Sequence, residues 1–315
     1  MSPYNRRMRA AAGVLIASAV VLSLAARPAW AFEEYDGTRA LGMGGASRAW
    51  AVGGTGPLLN PSGMSLVKAY SLEGGYAYTS RFDAQFLHAS IVDSTSALGI
   101  AGGLYYTYKF DERAGVAGSG HEVGGALSVP LGQYVAVGAT AKWFRLYGAD
   151  RGPAPTLATG GATFDVGVTV RPTQQLSLAV VAANLRDLHT GQAPRTVAYG
   201  LAFLPIPALV VTLDGVTVLT ADDTLGTKGT GVRAGAEWSL AQRVAFRLGG
   251  GTDAMRGVGF LSAGFSAVSE IGAVDLGARG DLFPMKDGSS KNVFLGVSLR
   301  LFVPGAVESA NAAPL

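Results

Sequence analysis

An even series of short segments, joined by connections that alternate between short and long, constrains the fold most. From Tyr70 onward, fourteen segments alternate apolar residues with small or polar ones. Their short connections are 94–96, 131–132, 172–174, 205–206, 240–241 and 268–269, and their longer, polar connections are 110–120, 147–160, 185–194, 220–228, 253–256 and 281–291. Barrels of the outer membrane have tight periplasmic turns and long outward loops, whereas soluble sandwiches have no reason to alternate in this way. The pattern therefore predicts an all-β fold, a transmembrane antiparallel β-barrel.

The predicted strands have one apolar and one polar face. In segment 292–302 the odd-numbered residues are apolar, whereas the even-numbered ones include Ser298 and Arg300. An Arg facing lipid near the bilayer midplane costs about 2–4 kcal/mol, so the charged faces are expected to line the lumen. The strands are predicted at 69–80, 83–93, 97–109, 121–130, 133–146, 161–171, 175–184, 195–204, 207–219, 229–239, 242–252, 257–267, 270–280 and 292–302. Twelve strands is the alternative, because Asp214 and Gly215 within 207–219 have the composition of a turn.

The overall composition agrees with a membrane-spanning barrel. Charged residues make up 15% of the chain, against about 25% in ordinary soluble domains. After residue 31, however, no apolar run approaches the roughly 20 residues that a spanning helix needs. Helices and closed barrels are the two ways of satisfying backbone polar groups in lipid, so the barrel is favoured.

The N-terminus predicts export. Arg6, Arg7 and Arg9 precede the uncharged apolar stretch 10–26, and Ala29 and Ala31 provide a small-x-small cleavage site, so residues 1–31 are predicted to be a signal peptide. The remaining chain has 21 basic and 22 acidic residues, a net charge of −1, which argues against nucleic-acid binding. Without cysteine, disulfides, thiolate metal sites and cysteine nucleophiles are excluded. The predicted divisions are 1–31, a hatch segment 32–66, a barrel 67–303 and a C-terminal tail 304–315.

The segment 32–66 is rich in Gly and Ala and lacks the period of the strands, so we expect it to pack inside the barrel instead of spanning the membrane. It contains RALGMGGA at 39–46 and, some fifteen residues later, NPSGM at 60–64. This pair of motifs, directly before the first strand, resembles the N-terminus of the FadL-like outer-membrane proteins, including the PorV/PorQ branch. The hatch motif comprises Arg39, Gly42, Gly44, Gly45, Asn60, Pro61 and Gly63.

The resemblance implies a fourteen-stranded barrel, in the outer membrane of a Gram-negative bacterium, whose N-terminal segment plugs the lumen as a hatch. It implies a channel that passes hydrophobic or amphipathic compounds, such as fatty acids or aromatic hydrocarbons, with outer-membrane lipids around it. A kink in the third strand opens the wall of family members sideways, and Gly99, Gly102 and Gly103 are the candidates for it here. Loops 147–160 and 185–194 are shorter and more polar than those of the transporters. A PorV-like barrel that docks or shuttles secreted protein cargo is therefore the alternative function.

Candidate ligand-binding residues are charged or apolar side chains predicted near the hatch. Arg233, Arg243 and Arg247 belong to adjacent strands and are predicted to form a basic patch for a carboxylate, with Leu41 and Met43 as apolar contacts. The other expected luminal charges, which pair with one another or with the hatch, are Glu73, Asp165, Arg171, Glu237, Asp275, Arg279 and Arg300.

Enzymatic chemistry is not expected. His88 and Ser90 share one strand face, the pairing that an outer-membrane phospholipase would use, but Ser is a common luminal residue. His121 and His189 fall at loop edges, and the acidic loop residues Asp222, Asp223 and Asp287 are typical of turns. No metal-ligand spacing such as HExxH is present, and no metal or cofactor is predicted.

Overall fold

The computed structural model describes residues 35–80, 83–113, 116–148, 156–188, 193–220, 229–253, 257–284 and 292–302. The predicted signal peptide, the predicted tail 304–315, His189, and the acidic residues Asp222, Asp223 and Asp287 lie outside the described residues.

Within the described residues, fourteen antiparallel strands form one closed barrel in which each strand pairs with its sequence neighbours. The first and last strands complete the ring, from Ser71 opposite Phe302 to Thr79 opposite Phe294. The strands are β1 Tyr70–Thr79, β2 Ala84–Asp93, β3 Ala101–Arg113, β4 Val116–Leu131, β5 Val135–Gly148, β6 Thr156–Val170, β7 Leu176–Ala183, β8 Thr196–Ile206, β9 Leu209–Val218, β10 Gly229–Leu240, β11 Val244–Asp253, β12 Val258–Val268, β13 Gly272–Pro284 and β14 Val293–Phe302.

The fourteen-strand prediction is confirmed, and the twelve-strand alternative is wrong. Asp214 pairs with Arg233 and Gly215 pairs with Val232 in an uninterrupted β9–β10 ladder, so no turn interrupts β9. Asp214 instead points inward and is fully buried. A polar side chain next to glycine has the composition of a turn, but here it is a luminal residue followed by a small outward one.

Several predicted boundaries differ from the structure. β3 begins at Ala101 instead of 97, because Gly99 has φ +72° in the preceding turn, where its N–H donates to the Ser96 carbonyl over 2.9 Å. The connections predicted as long at 110–120 and 147–160 are shortened, since β3, β4, β5 and β6 continue into them. Polar residues at the strand ends reflect strands that continue beyond the apolar band.

The predicted division into two faces is confirmed. Apolar side chains project outward around the ring, among them Leu104 and Leu248, which are 62% and 68% exposed. The inward face is buried and holds the charged residues, including Asp165, Glu237 and Asp275. In the described part of the chain, no helix is long and apolar enough to cross a membrane.

The N-terminal segment, residues 35–66 of the described chain, lies inside the barrel. Its short elements are helix Thr38–Gly42, 3-10 turns Arg48–Trp50 and Gly53–Thr55, helix Gly56–Leu59 and 3-10 turn Pro61–Leu66. Three glycines with positive φ end or join these elements and keep the segment compact: Gly44 (+68°), Gly45 (+71°) and Gly53 (+60°).

Candidate functional site: the luminal face of the barrel and the N-terminal segment

The N-terminal segment reaches the wall on all sides of the lumen. Its first helix contacts β11–β14, Arg48–Trp50 contacts β7–β9, Gly53–Thr55 contacts β1 and β2, and residues 56–66 contact β3–β6. Arg39 completes the ring by bonding to β10. The segment therefore crosses the inside of the barrel as a layer that contacts strands on every side.

A chain of buried ion pairs holds the first helix. Arg39 donates from Nε and Nη2 to the two carboxylate oxygens of Glu237, each over 2.9 Å. Glu237 also pairs with Arg247, whose Nη1 donates to Asp275 over 3.1 Å. Asp275 in turn accepts from Arg300 Nη2 over 2.8 Å. Glu237 and Asp275 each have two guanidinium partners. Their charges are therefore compensated although they are removed from water.

Two further ion pairs join the segment to β9 and β10. Asp214 accepts from the backbone N–H of Arg48 over 3.0 Å and from its Nη1 over 3.3 Å. Asp36 lies 3.6 Å from Nη1 of Arg233. Unlike Arg39, Arg233 has a side-chain Nε that is buried without a hydrogen-bond partner. The Asp36–Arg233 contact is thus the looser of these attachments.

The second motif of the segment is held by neutral hydrogen bonds. Asn60 Nδ2 donates to the Arg48 carbonyl over 2.8 Å and to Thr169 Oγ1 over 2.9 Å. Its Oδ1 accepts from the backbone N–H and the hydroxyl of Ser62, over 3.1 Å and 2.6 Å. Both N–H donors and both oxygen lone pairs of this buried amide are used, which explains an asparagine at this position. Ser65 extends the contact to β4 by donating to Ser128 over 2.6 Å.

The glycines of the first motif allow the backbone to approach the wall closely. A Cβ at Gly42 would lie 2.9 Å from Cα of Gly264, and one at Gly44 would lie 2.8 Å from the amide nitrogen of Gly250. Such distances exclude any side chain without movement of the backbone. Gly42 and Gly44 are therefore explained by close contact of the segment with β12 and β11, where the facing residue is also glycine.

The two predicted apolar contacts, Leu41 and Met43, are buried against the wall. Leu41 packs in a cluster with Tyr35, Phe86 and Phe294, and Met43 is fully buried. Leu41 also borders a small cavity of about 20 Å³, the size of a water molecule. The other residues lining this cavity are Tyr35, Asp36, Gly44, Gly45, Arg233, Arg279 and Phe294.

Aromatic side chains surround Tyr35 at the start of the described segment. Its ring centroid is 5.9 Å from that of Phe86 and 5.3 Å from that of His88, and the His88 ring is 6.1 Å from that of Tyr105. Burial raises the pKa of the Tyr35 phenol well above its usual range, and its hydroxyl is 3.0 Å from Thr38 Oγ1. His88 Nδ1 is 2.9 Å from Thr107 Oγ1. This places the imidazole's hydrogen bond on a threonine and not on Ser90.

The predicted basic patch is only partly assembled. Arg233 lines the small cavity, whereas Arg247 is bound between Glu237 and Asp275. The placement of Arg243 beside them is wrong, because this residue is exposed in the β10–β11 turn, where its N–H bonds to the Leu240 carbonyl over 3.0 Å. Arg279, which is predicted from the sequence only as a luminal charge, lines the cavity instead, with its guanidinium carbon 3.6 Å from the ring centroid of Phe260.

The glycines proposed for a lateral opening have different surroundings. Gly99 lies in the turn before β3, and β3 pairs with both neighbours without a register shift. Gly103 faces inward, where an added Cβ would lie 2.9 Å from Pro57 and 3.2 Å from Met64 of the segment. Gly102 faces outward and borders a groove of about 830 Å³ on the outer wall.

Some of the residues that hold the segment to the strands are not predicted from the sequence. Arg48 lies two residues after the first motif and is a second arginine close in sequence to Arg39. Asp214 was masked by its apparent turn composition. Asp36 gave no signal at all, since a single acidic residue outside the strands has no periodic pattern.

Solved channels and transporters have a similar structure. The chain matches the CymD monoaromatic hydrocarbon channel with a TM-score of 0.65 and 12% identity, over 86% of this chain and 100% of that one. It matches the Pseudomonas putida toluene transporter TodX with a TM-score of 0.59 and 12% identity, over 87% of this chain and 99% of that one. It matches a Pseudomonas aeruginosa FadL homologue with a TM-score of 0.59 and 11% identity, over 87% and 99%.

The fold is that of the FadL-like channels. The resemblance first noted in the RALGMGGA and NPSGM motifs is thus confirmed at the level of architecture. No protein-family model and no curated protein matches the sequence. Identity to the FadL-like structures is only 11–12%, so the similarity extends to the fold and not to the function.

Proposed function

We propose that the protein is an outer-membrane channel that passes hydrophobic or amphipathic small molecules through a barrel gated by residues 32–66. The predicted signal peptide 1–31 would direct its export. The observation that carries the proposal is the seating of the segment. It crosses the lumen and is held by separate polar contacts to different strands, so it is a closure that can be released stepwise.

In the proposed mechanism, a ligand enters from the side of the long loops and meets the segment at Asp36. Arg233 and Arg279 border the small cavity there, together with Tyr35 and Phe294. A carboxylate would compete with Asp36 for Arg233, since arginine binds carboxylates through charge-assisted hydrogen bonds. The aromatic rings supply an apolar surface for the rest of the ligand. Loss of the Asp36 contact would then free the first helix of the segment.

Two exits are compatible with this mechanism. The ligand would leave either past a displaced segment into the periplasm or through the wall near Gly102 and Gly103. Support for the second exit is the small side-chain volume at this point, where two adjacent glycines lie in β3 and Gly103 contacts Pro57 and Met64 of the segment. No covalent chemistry is needed in either case.

A reversible crosslink tests whether the segment is the gate. A Cβ at Gly296 would lie 3.3 Å from Thr38 Oγ1, so cysteines at these positions are placed for a disulfide. The chain has no cysteine of its own, so Thr38→Cys with Gly296→Cys gives a single defined bond. Uptake of a labelled long-chain fatty acid and of a small aromatic is measured with oxidised and reduced protein, using each single cysteine variant as control.

We expect uptake by the reduced protein and little or none by the oxidised one. Equal uptake in both redox states would overturn the gating role of the segment but would still support a channel function. No uptake by correctly inserted wild-type protein would overturn transport itself.

The second candidate is a PorV-like barrel that docks secreted protein cargo. The observation in its favour is the extent of the buried ion pairs, from Arg39 to Arg300, which would suit a permanent plug. A protein that inserts correctly, shows no uptake and retains secreted cargo at the cell surface would support this function.

A further inference from the structure

An acidic side chain faces outward at the rim of the barrel where the short turns lie. Asp93 ends β2 in the exposed, outward series of that strand, directly before the short connection to β3. Short turns lie on the periplasmic side of outer-membrane barrels. Asp93 Oδ1 accepts from the backbone N–H and the hydroxyl of Thr95, over 2.9 Å and 2.7 Å. Among the described residues, no Lys or Arg pairs with this carboxylate, so its charge is open to a cation from outside the protein.

Hydroxyl groups and open space flank Asp93. Strand pairing puts Tyr70 opposite it on β1 and Gly102 opposite it on β3. A Cβ at Gly102 would meet nothing within 4 Å, so the β3 side of the carboxylate is unobstructed. In the next turn, Ser96 Oγ accepts from the Leu98 N–H over 3.3 Å, a bond that does not use the hydroxyl proton of the serine. The phenol of Tyr70 and the hydroxyl of Ser96 are thus two donors at the same rim, and both suit a phosphate oxygen.

A single groove continues from this rim up the outer wall of the barrel. Its volume is about 830 Å³, and its polar end is lined by Tyr70, Asp93, Thr95 and Ser96. The floor consists of small outward-facing residues: Gly102, Gly125, Ala139 and Ala141. The walls consist of larger apolar residues: Ile91, Leu104, Leu127 and Phe164. The polar rim and the apolar groove are therefore parts of one continuous site.

The groove has the height of one bilayer leaflet. Phe164, at its upper end, lies six residues before Val170, the last residue of β6 at the short-turn rim. Six residues rise about 20 Å along a strand, which a strand tilt of about 40° reduces to about 15 Å. Half of the hydrocarbon core, which is roughly 30 Å thick, is also about 15 Å. A lipid whose head group lies at Asp93 would therefore have its acyl chain beside the groove, in the periplasmic leaflet.

We propose that this wall binds a phospholipid of the periplasmic leaflet that has a primary ammonium in its head group. The ammonium lies on Asp93, the phosphate lies beside Tyr70 and Ser96, and an acyl chain fills the groove. A carboxylate binds a primary ammonium through charge-assisted hydrogen bonds, and it repels an anionic head group.

Asp93 is what selects the class of lipid, because the apolar groove alone would accept any acyl chain. Within the described strands, Asp93 is the acidic residue among the outward-facing positions of the short-turn half, so this preference is local to the groove. The site lies on the outside of the wall and does not depend on passage through the lumen.

Native mass spectrometry of the detergent-purified barrel, titrated with phosphatidylethanolamine, tests the site. We expect Asp93→Asn to weaken binding about tenfold, because asparagine keeps the acceptor for Thr95 but loses the charge. Glu270→Gln is the matched control, since Glu270 is exposed in the short β12–β13 turn, at the same rim but outside the groove. Ala141→Phe fills the groove and should weaken binding, whereas Ala234→Phe on the outward face of β10 should not.

Lipids with identical acyl chains separate the head group from the chain. Phosphatidylcholine has a trimethylated ammonium that cannot donate a hydrogen bond, and phosphatidylglycerol is anionic, so both should bind more weakly than phosphatidylethanolamine. Asp93→Asn should remove this preference. The proposal is overturned if Asp93→Asn and Glu270→Gln have equal effects, if Ala141→Phe binds as well as Ala234→Phe, or if the wild-type protein does not prefer phosphatidylethanolamine. Migration of unheated samples in gel electrophoresis checks that each variant is a folded barrel.

Discussion

Arg39 and Glu237, which are 198 residues apart in the sequence, form a two-pronged buried ion pair that attaches the luminal segment to β10. Their side chains are 7% and 11% exposed. Glu237 has a second partner in Arg247, so it stays compensated when Arg39 is absent. Arg39 thus contributes attachment of the segment more than it contributes stability of the barrel wall.

Arg39→Gln is expected to loosen the segment and leave the barrel intact. Losing charge-assisted hydrogen bonds costs about 1–3 kcal/mol, so hydrogen exchange in residues 38–50 should accelerate about fivefold or more, while exchange in the strands stays unchanged. Arg195→Gln is the matched control, since its pair with Asp187 spans 3.4 Å and is 43% exposed on the arginine side. Such a surface pair should change little. Equal acceleration in both variants would refute the anchoring role of Arg39.

Gly44 and Gly53 separate backbone conformation from close packing. Both have positive φ, +68° and +60°, so alanine costs about 1–2 kcal/mol at either position. A Cβ at Gly44 would also lie 2.8 Å from the Gly250 nitrogen, whereas nothing lies within 4 Å of one at Gly53. We expect Gly44→Ala to release the first helix to added protease and Gly53→Ala to have a small effect. Similar cleavage of the two variants would mean that the contact with β11 is unimportant.

Much of the barrel could be predicted because lipid outside and charge inside impose a period of two on each strand. Strand number, strand order and the direction of Asp165, Asp275 and Arg300 follow from that rule. The rule weakens where a strand leaves the apolar band, which is why the ends of β3, β4 and β6 were misplaced. It also fails at Arg243, whose position in the alternation points inward although the β10–β11 turn carries it to the surface.

The attachments of the segment could not be predicted in the same way. Pairing of Arg48 with Asp214 or of Asp36 with Arg233 depends on how an irregular chain is folded inside the ring. No periodic pattern records that path. The motif residues Arg39, Gly42 and Asn60 were identified by resemblance, and the structure supplies their physical roles as an ion pair, a close approach and a hydrogen-bonding centre.

Replacing Asn60 with aspartate should destabilise the segment strongly, although the two side chains have nearly the same size. Asn60→Asp replaces the Nδ2 donor with an acceptor that faces the Arg48 carbonyl, now 2.8 Å away. Leaving a buried acceptor without its donor costs about 1–3 kcal/mol, and more when the group is charged. We expect Asn60→Asp to destabilise the segment at least as much as Asn60→Ala, as judged by limited proteolysis. A milder effect of aspartate would show that the amide donor is not needed.

We expect the luminal segment to be released more readily at alkaline pH, because the phenol of Tyr35 then ionises. Burial raises the pKa of its phenol in the folded protein, whereas in a released segment the group titrates near pH 10. The unfolded or released form therefore loses its proton first, and the stabilising contribution of Tyr35 is fully present below about pH 10 and is lost as the pH rises further. Proteolysis of the segment, followed from pH 8 to pH 11.5, should accelerate above pH 10 in the wild-type protein. Tyr35→Phe keeps the ring against Phe86 and removes the titration, so its rate should rise less steeply over the same range. If both proteins show the same pH profile, a group other than Tyr35 controls the alkaline opening.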